Sequence, residues 1–146
     1  GLTLLGYNQL YRWLTLLLFA SGPDAQRKRA LFTHALVRGR LMELAGRATL
    51  SGTETDSLFV TGIFSVLDSL LDVPLRQALA AIRLPQPVTA ALLENSGIYA
   101  PCLQLAIACE GTGRERIHEL AAECGLSPEA VNAAHFEAIL WAESLD

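Results

Sequence analysis

Histidine and cysteine side chains are common metal ligands, and in this sequence they are few and widely spaced. The chain contains three of each: His34, His118, His135, Cys102, Cys109 and Cys124. Protein metal sites usually draw ligands from close pairs such as Cys-x-x-Cys or His-x-x-x-His, and no such pair occurs here. An odd number of cysteines also argues against a disulfide framework. We therefore predict no metal ligand and no cofactor, with reduced cysteines in the core of a cytoplasmic protein.

The sequence supports nucleophilic or acid–base catalysis no better than it supports a metal site. Ser65 is not part of a Gly-x-Ser-x-Gly motif, which forms the turn that exposes a catalytic serine. Asp68 and Asp72 share one helical face at a spacing of four residues, but such pairs near the end of a surface helix are usually solvated. The stretch Gly111-Thr112-Gly113 is short and lacks the lysine that follows in a phosphate-binding loop. The sequence predicts no catalytic residue, and we expect the chain not to be an enzyme.

Arginines in the first third of the chain are the best candidates for a binding surface. Residues 1–48 carry seven basic and two acidic side chains, whereas residues 49–146 carry four basic and thirteen acidic ones. At about 100° per residue, Arg29, Arg40 and Arg47 fall on one side of a predicted helix that is otherwise largely apolar. We predict that this row is a protein-interaction surface for an acidic neighbour. Reversing all three charges is expected to spare folding and to weaken that contact.

Residues 121–131 match the spacing of a helix-turn-helix, with Gly125 in the turn and Ser127 as the cap of the second helix. A recognition helix normally carries Arg or Lys for phosphates and base edges. Residues 117–146 contain neither. The pattern therefore favours tight packing between two helices, and a nucleic-acid-binding module is kept only as an alternative function.

The composition indicates one soluble, folded domain. Hydrophobic residues make up 51% of the 146 residues and charged residues 18%, with a mean hydropathy of +0.33, which excludes a disordered segment. The most apolar run, residues 14–20, is far shorter than the roughly 20 residues that cross a bilayer. The length fits a single domain over residues 1–146. Because the chain lacks an initiator Met, we expect it to be an N-terminally truncated piece of a longer protein.

Apolar residues recur at helical spacing along almost the whole chain, which predicts an all-α bundle of seven or eight helices. The predicted helices cover residues 7–20, 23–48, 53–71, 75–82, 88–94, 101–110, 113–124 and 128–145. Pro23 is predicted to begin the second helix, Thr53 or Thr55 to cap the third, and Ser127 to cap the last. The buried stripe of the second helix is predicted at Ala30, His34, Val37, Leu41, Ala45 and Ala48. That of the last helix is predicted at Val131, Ala134, Ala138, Trp141, Ala142 and Leu145.

The order and spacing of these motifs resemble the HDOD domain, a degenerate relative of the HD phosphohydrolases, in the version that follows an EAL domain in bacterial signalling proteins. The matching stretches are Leu4-Leu5-Gly6 with Arg12-Trp13-Leu14, residues 59–68, residues 72–75, Leu84-Pro85 with residues 91–93, residues 103–106 ending in Glu110, and residues 138–142. The likeness covers nearly the whole chain. It implies a compact, HD-like helical bundle.

The resemblance also places two residues at the metal-binding doublet of the active enzymes. Those enzymes carry His-Asp after a glycine and two apolar residues, and the doublet helps to bind the metal that activates water. Here Ser65 and Val66 occupy the doublet after Gly62, and neither replaces it as a ligand. The alternative is an HD-type metal-dependent phosphohydrolase with relocated ligands drawn from His34, Asp68 and Asp72.

The function implied by the resemblance is therefore signal output without catalysis. The domain would act through protein–protein contact in an EAL–HDOD protein related to cyclic di-GMP. Its partners would be an upstream EAL domain of the same chain, an unidentified signalling protein or a second copy of itself. Nucleic acid and membrane are not expected as partners.

Overall fold

The computed structural model describes residues 23, 25–80, 83–111 and 113–145. Eight helices and no strand occur within them, which confirms the predicted all-α fold. We number the helices α1 (Ala25–Gly46), α2 (Gly52–Phe64), α3 (Leu67–Leu71), α4 (Leu75–Leu79), α5 (Gln86–Glu94), α6 (Ala100–Ala108), α7 (Arg114–Glu123) and α8 (Pro128–Glu143). The helix predicted at residues 7–20 lies outside the described residues.

Helix α1 is the central element, because it packs against α2, α8, α6 and α3. The predicted stripe on α1 is buried only in its C-terminal half, where Leu41 and Ala45 lie in the main core. Ala30 and Ala48 are exposed, so the prediction was wrong for these two residues. Ala48 lies in the turn beyond the end of α1, and Ala30 lies in the N-terminal half, where most residues of α1 remain exposed or half-buried.

The crossing of α1 and α2 depends on two glycines, Gly39 and Gly62. A Cβ atom on Gly62 would lie 2.5 Å from the Cα atom of Gly39, and one on Gly39 would lie 2.8 Å from the carbonyl oxygen of Phe59. Real Cβ atoms do not approach other atoms so closely. The two backbones are therefore in direct contact, and only glycine fits at this point of the crossing.

The single helix predicted for residues 53–71 is divided into α2 and α3 by Ser65 and Val66. The Ser65 hydroxyl donates a hydrogen bond to the carbonyl oxygen of Gly62 (2.6 Å). The Val66 N–H donates instead to the carbonyl oxygen of Ile63 (3.2 Å), one residue short of the α-helical partner. Serine hydroxyls compete with the backbone in this way, and the competition accounts for the break.

One of the predicted helix starts is confirmed and two are wrong. Ser127 accepts a hydrogen bond from the Ala130 N–H (3.1 Å), which confirms it as the cap of α8. Neither Thr53 nor Thr55 caps α2, because the helix begins earlier, at Gly52, with Ser51 as its extended N-cap residue. The Thr55 hydroxyl donates to the carbonyl oxygen of Gly52 (2.7 Å). Pro23 precedes the first residue of α1 by two positions, so its predicted place as first helical residue was wrong.

The buried face of α8 is shorter than predicted. Val131, Ala138 and Ala142 are buried, whereas Ala134 and Trp141 are half-buried. Leu145 is exposed because α8 ends at Glu143, which leaves Leu145 in the turn beyond it.

Two of the three cysteines lie side by side in the main core, as predicted for small core residues. The Sγ atoms of Cys102 and Cys124 are 3.8 Å apart, and all three cysteines are free thiols. The contact with Cys124, together with burial, raises the pKa of the Cys102 thiol. Burial also raises the pKa of Cys109. Among the helices of the described residues, none is both long and apolar enough to cross a membrane.

Candidate functional site

Ser65 and Val66, which the resemblance places at the metal-binding doublet, have different environments. The Ser65 hydroxyl, besides donating to Gly62, accepts a hydrogen bond from Nη1 of Arg38 (2.8 Å). Val66 is only 3% exposed. The two positions are thus used for a hydrogen bond between helices and for apolar packing.

Arg38 on α1 is the centre of a polar cluster that the sequence analysis did not single out. Its Nε and Nη2 atoms donate to the two carboxylate oxygens of Glu110, at 2.8 and 2.6 Å. Nε2 of His34 lies 3.2 Å from Nη2 of Arg38 and 3.1 Å from Oε1 of Glu110. The side chain of Arg38 is 11% exposed and that of Glu110 is 26% exposed. The cluster therefore joins α1 to the end of α6 and to the break between α2 and α3.

A bidentate arginine–carboxylate pair is among the strongest polar contacts in proteins, because two parallel charge-assisted hydrogen bonds form at once. Both carboxylate oxygens of Glu110 are already engaged by Arg38. The guanidinium group carries a permanent positive charge. Any divalent cation that approached His34 or Glu110 would therefore meet a fixed like charge at hydrogen-bond distance.

The three alternative metal ligands, His34, Asp68 and Asp72, do not form a metal site. No three His, Cys, Asp or Glu side chains of the described part of the chain are grouped closely enough to hold a metal ion. Oδ1 of Asp68 accepts a hydrogen bond from the backbone N–H of Ser69 (2.9 Å). Asp72 is an exposed residue in the left-handed conformation (φ 58°) that ends α3.

The polar cluster borders a cavity of about 280 Å³ between α1, α6 and α8. His34, Arg38 and Glu110 form its polar wall, Ala30, Val37 and Ala106 are among its apolar residues, and His135 lies on the α8 side. His135 is half-buried and His118 is exposed. The cavity wall therefore combines apolar side chains with the ion pair between Arg38 and Glu110.

The predicted helix-turn-helix has the expected local geometry. Gly125 has a positive φ of 73°, and the Leu126 N–H donates to the carbonyl oxygen of Ala121 (2.8 Å), which closes the end of α7. Ala121 and Val131 are buried in the main core. The motif thus serves packing between α7 and α8, while nucleic-acid binding stays an untested alternative.

The three arginines of the predicted interaction surface have unequal environments. Arg29 and Arg47 are exposed. Arg40 is half-buried, forms an ion pair with Glu43, and lies with its Cζ atom 5.4 Å from the ring centroid of Trp141. A guanidinium group over an indole ring is a favourable cation–π contact. Arg40 therefore helps to hold α8 on α1, and its charge reversal would disturb folding as well as any surface.

We expect Val66→Asp to lower the free energy of unfolding by a few kcal/mol and to create no hydrolytic activity. The reason is that the carboxylate would be buried at a position that is 3% exposed and would lose its hydration there. Thermal and denaturant unfolding would measure the loss, with Val66→Ala as a control for the missing methyl groups. An unchanged melting temperature would contradict burial of this side chain.

No protein-family model matches the chain, and no solved structure matches it at a significant level. The chain is 29% identical over 147 residues to the uncharacterized protein YuxH of Bacillus subtilis (strain 168), with 99% of this chain and 35% of YuxH covered. It is 27% identical over 146 residues to the cyclic di-GMP phosphodiesterase CdgJ of Vibrio cholerae, with 100% of this chain and 34% of CdgJ covered. The chain thus spans about a third of the length of these two relatives.

Proposed function

We propose that this chain is an HDOD-type domain that transmits signals by protein–protein contact, without catalysis, within a cytoplasmic bacterial protein related to cyclic di-GMP. The similarity along the whole chain to part of a protein named a cyclic di-GMP phosphodiesterase supports the signalling context. The observation that carries the non-catalytic role is the guanidinium group of Arg38, which is held between Ser65 and Glu110.

The Arg38 contacts favour a structural use of this site. To admit a metal ion, the chain would have to break the bidentate pair with Glu110 and the bond to Ser65, and the freed cation would still be nearby. The Coulomb repulsion between the two cations would be substantial at such distances even in a partly solvated site.

The partners of the domain belong to the same proposal. An upstream EAL domain of the same protein, an unidentified signalling protein, or a second copy of the chain would bind its surface. Helix α1 contacts four other helices and carries Arg38 and the exposed Arg29, while the exposed Arg47 follows its last residue. Helices that pack through apolar faces can shift as rigid bodies, so a contact made on α1 would be passed to most of the bundle.

Metal analysis and a hydrolysis assay test the non-catalytic role. The chain is purified without chelators from cells supplied with manganese, iron and zinc, and is assayed with bis(p-nitrophenyl) phosphate and with cyclic di-GMP. We expect far less than one metal ion per chain and no hydrolysis above background, with an active HD enzyme as the positive control. Stoichiometric metal together with activity that disappears in His34→Ala would overturn the proposal.

The proposed contact surface is tested in the parent protein with the double variant Arg29→Glu, Arg47→Glu. Arg40 is left intact because of its contacts with Glu43 and Trp141. We expect the variant to fold normally and to bind the remainder of the protein, or its signalling partner, about tenfold more weakly, because rim charges act mainly on the association rate.

The matched control carries the same change in charge on another helix. Arg114 and Arg116 are exposed residues of α7, and their double replacement by Glu should leave binding unchanged. Equal loss of affinity in both variants would mean that total charge, and not the positions of Arg29 and Arg47, is responsible. No loss in either variant would remove Arg29 and Arg47 from the contact.

A further inference from the structure

Cys102 and Cys124 form a pair of thiols in the main core, although they are 22 residues apart in the sequence. Cys102 belongs to the first turn of α6, and Cys124 follows the last residue of α7 as its C-cap. Their Sγ atoms are 3.8 Å apart, and each residue is only 3% exposed. The packing of α7 against α6 therefore holds two free thiols in direct contact.

The distance between these sulfur atoms is short enough for a disulfide to form with little movement. A disulfide bond is about 2.05 Å long, so the two atoms would have to approach each other by about 1.8 Å. Cys124 lies at the end of its helix and is followed by Gly125 in the left-handed conformation (φ 73°). Rotation about the Cα–Cβ bonds and a small shift of this turn can supply the movement.

The two thiols differ in their readiness to ionise. The thiolate, and not the thiol, is the nucleophile in cysteine oxidation. The hydrogen bond from Cys102 lowers the pKa of the Cys124 thiol, against the opposing effects of burial and of the Glu123 carboxylate. The same contact, together with burial, raises the pKa of Cys102. Cys124 is therefore the nucleophile of the pair, and Cys102 is the thiol that donates to it.

Cys109 provides an internal comparison for the pair. It is the C-cap residue of α6 and is half-buried. Burial and the neighbouring carboxylate of Glu110 raise the pKa of its thiol. Cys109 is therefore more accessible to solvent than Cys124 but has less thiolate character, so accessibility and ionisation favour different cysteines.

The burial of the pair restricts the oxidant that can react with it. At 3% exposure of each cysteine, a bulky oxidant such as oxidised glutathione does not reach either sulfur atom without opening the core. Hydrogen peroxide is uncharged and only slightly larger than water. The pair lies just below the surface, because Glu123 and Gly125 on either side of Cys124 are both exposed, so a small opening of this turn admits peroxide.

We propose that Cys102 and Cys124 are a site of reversible oxidation by hydrogen peroxide, which converts the two thiols into an intramolecular disulfide between α6 and α7. The Cys124 thiolate attacks one peroxide oxygen, the O–O bond breaks, and a sulfenic acid forms while the departing hydroxide takes up a proton and becomes water. The Cys102 sulfur then attacks the sulfenic sulfur, loses its proton, and displaces a second hydroxide that also leaves as water. The two sulfur atoms lose two electrons, and one peroxide is reduced to two water molecules. The site does not depend on the proposed signalling function.

Peroxide treatment of Cys109→Ser tests the proposal, because this variant contains only the two cysteines of the pair. We expect its mass to fall by about 2 Da, the mass of the two hydrogen atoms lost. Trypsin should then release residues 84–114 joined to residues 117–146, until dithiothreitol separates them. The melting temperature should rise by roughly 5–10 °C, because the disulfide restricts the unfolded chain. The parent chain should form the same link, which additional chymotrypsin cleavage after Leu105 distinguishes from a link to Cys109.

The matched control is the double variant Cys102→Ala, Cys109→Ser, which keeps Cys124 alone. Peroxide should add oxygen to it without forming a link and without raising its melting temperature. Oxidised glutathione should leave the mass of folded Cys109→Ser unchanged. An unchanged mass of Cys109→Ser after peroxide would overturn the proposal, as would oxygen addition without a link. A disulfide formed only between two chains, seen as a dimer without reductant, would also overturn it.

Discussion

Arg38→Ala is expected to lower the free energy of unfolding by about 2–4 kcal/mol. The substitution removes a nearly buried cation that donates three hydrogen bonds to Glu110 and Ser65, and it leaves the carboxylate of Glu110 partly buried without that cation. Removal of one partner from a fully buried ion pair costs about 3–5 kcal/mol, and the partial exposure of Glu110 (26%) reduces that value. Denaturant unfolding followed by circular dichroism measures the change.

The chain contains its own matched control for this prediction. Arg116 and Glu119 form a comparable pair on the surface of α7, at 3.4 Å, with both side chains more than half exposed. Exposed pairs contribute about 0–1 kcal/mol, so Arg116→Ala should change stability little. If Arg38→Ala and Arg116→Ala lower the free energy of unfolding by similar amounts, the cluster around Arg38 contributes no more to stability than an exposed ion pair.

Two further variants identify which contact of Arg38 matters. Arg38→Lys keeps the charge but loses the planar, bidentate geometry, and should retain only part of the stability. Glu110→Gln keeps the shape and removes the negative charge. If the pair is a unit, the double variant Arg38→Ala, Glu110→Ala should lose less than the sum of the single losses. Additive losses would contradict direct coupling.

Helical periodicity predicts most of the fold, because apolar spacing reports the burial of helix faces. It fails where local polar chemistry competes with the helix. The Ser65 hydroxyl donates a hydrogen bond to the carbonyl oxygen of Gly62, and the helix predicted for residues 53–71 is divided into two at this point. The apolar pattern of the sequence continues through the break without a change. Apolar spacing does not report such competition, so the break at Ser65 was not predicted.

The cluster around Arg38 was beyond prediction for a different reason. His34 and Arg38 are four residues apart on one face of α1, which is readable from the sequence. Their partner Glu110 is 72 residues beyond Arg38, and nothing in a single sequence pairs these positions. The resemblance pointed to Ser65 as a poor metal ligand, and the structure adds what the serine does instead, which is to accept a hydrogen bond from Arg38.

Gly62→Ala is expected to lower the free energy of unfolding by about 3 kcal/mol or more. Its Cβ atom would lie 2.5 Å from Cα and 2.7 Å from N of Gly39. These are backbone atoms, so no rotamer change relieves the overlap, and the whole α1–α2 crossing must open. Gly39→Ala meets the carbonyl oxygen of Phe59 in the same crossing and should have a similar effect.

Gly52→Ala is the control, since a Cβ atom there has no atom within 4 Å. Gly52 is the first residue of α2, and replacement of a glycine with compatible backbone angles by alanine is neutral or stabilises by up to about 1 kcal/mol. The melting temperatures of Gly62→Ala and Gly52→Ala should therefore shift from that of the parent chain in opposite directions or by very different amounts. Equal melting temperatures would contradict the close backbone contact.

The glycine crossing also sets the position of the polar cluster, and this gives the prediction a second readout. Gly39 is adjacent to Arg38, and Gly62 lies three residues before Ser65, so the contact of the two glycines brings Nη1 of Arg38 within 2.8 Å of the Ser65 oxygen. If Gly62→Ala separates the helices, Arg38 loses this bond in the same step. Arg38→Ala should then cost less in the Gly62→Ala background than in the parent chain, because neighbouring sites that share a backbone shift are not additive. An unchanged cost would show that the crossing and the cluster are independent.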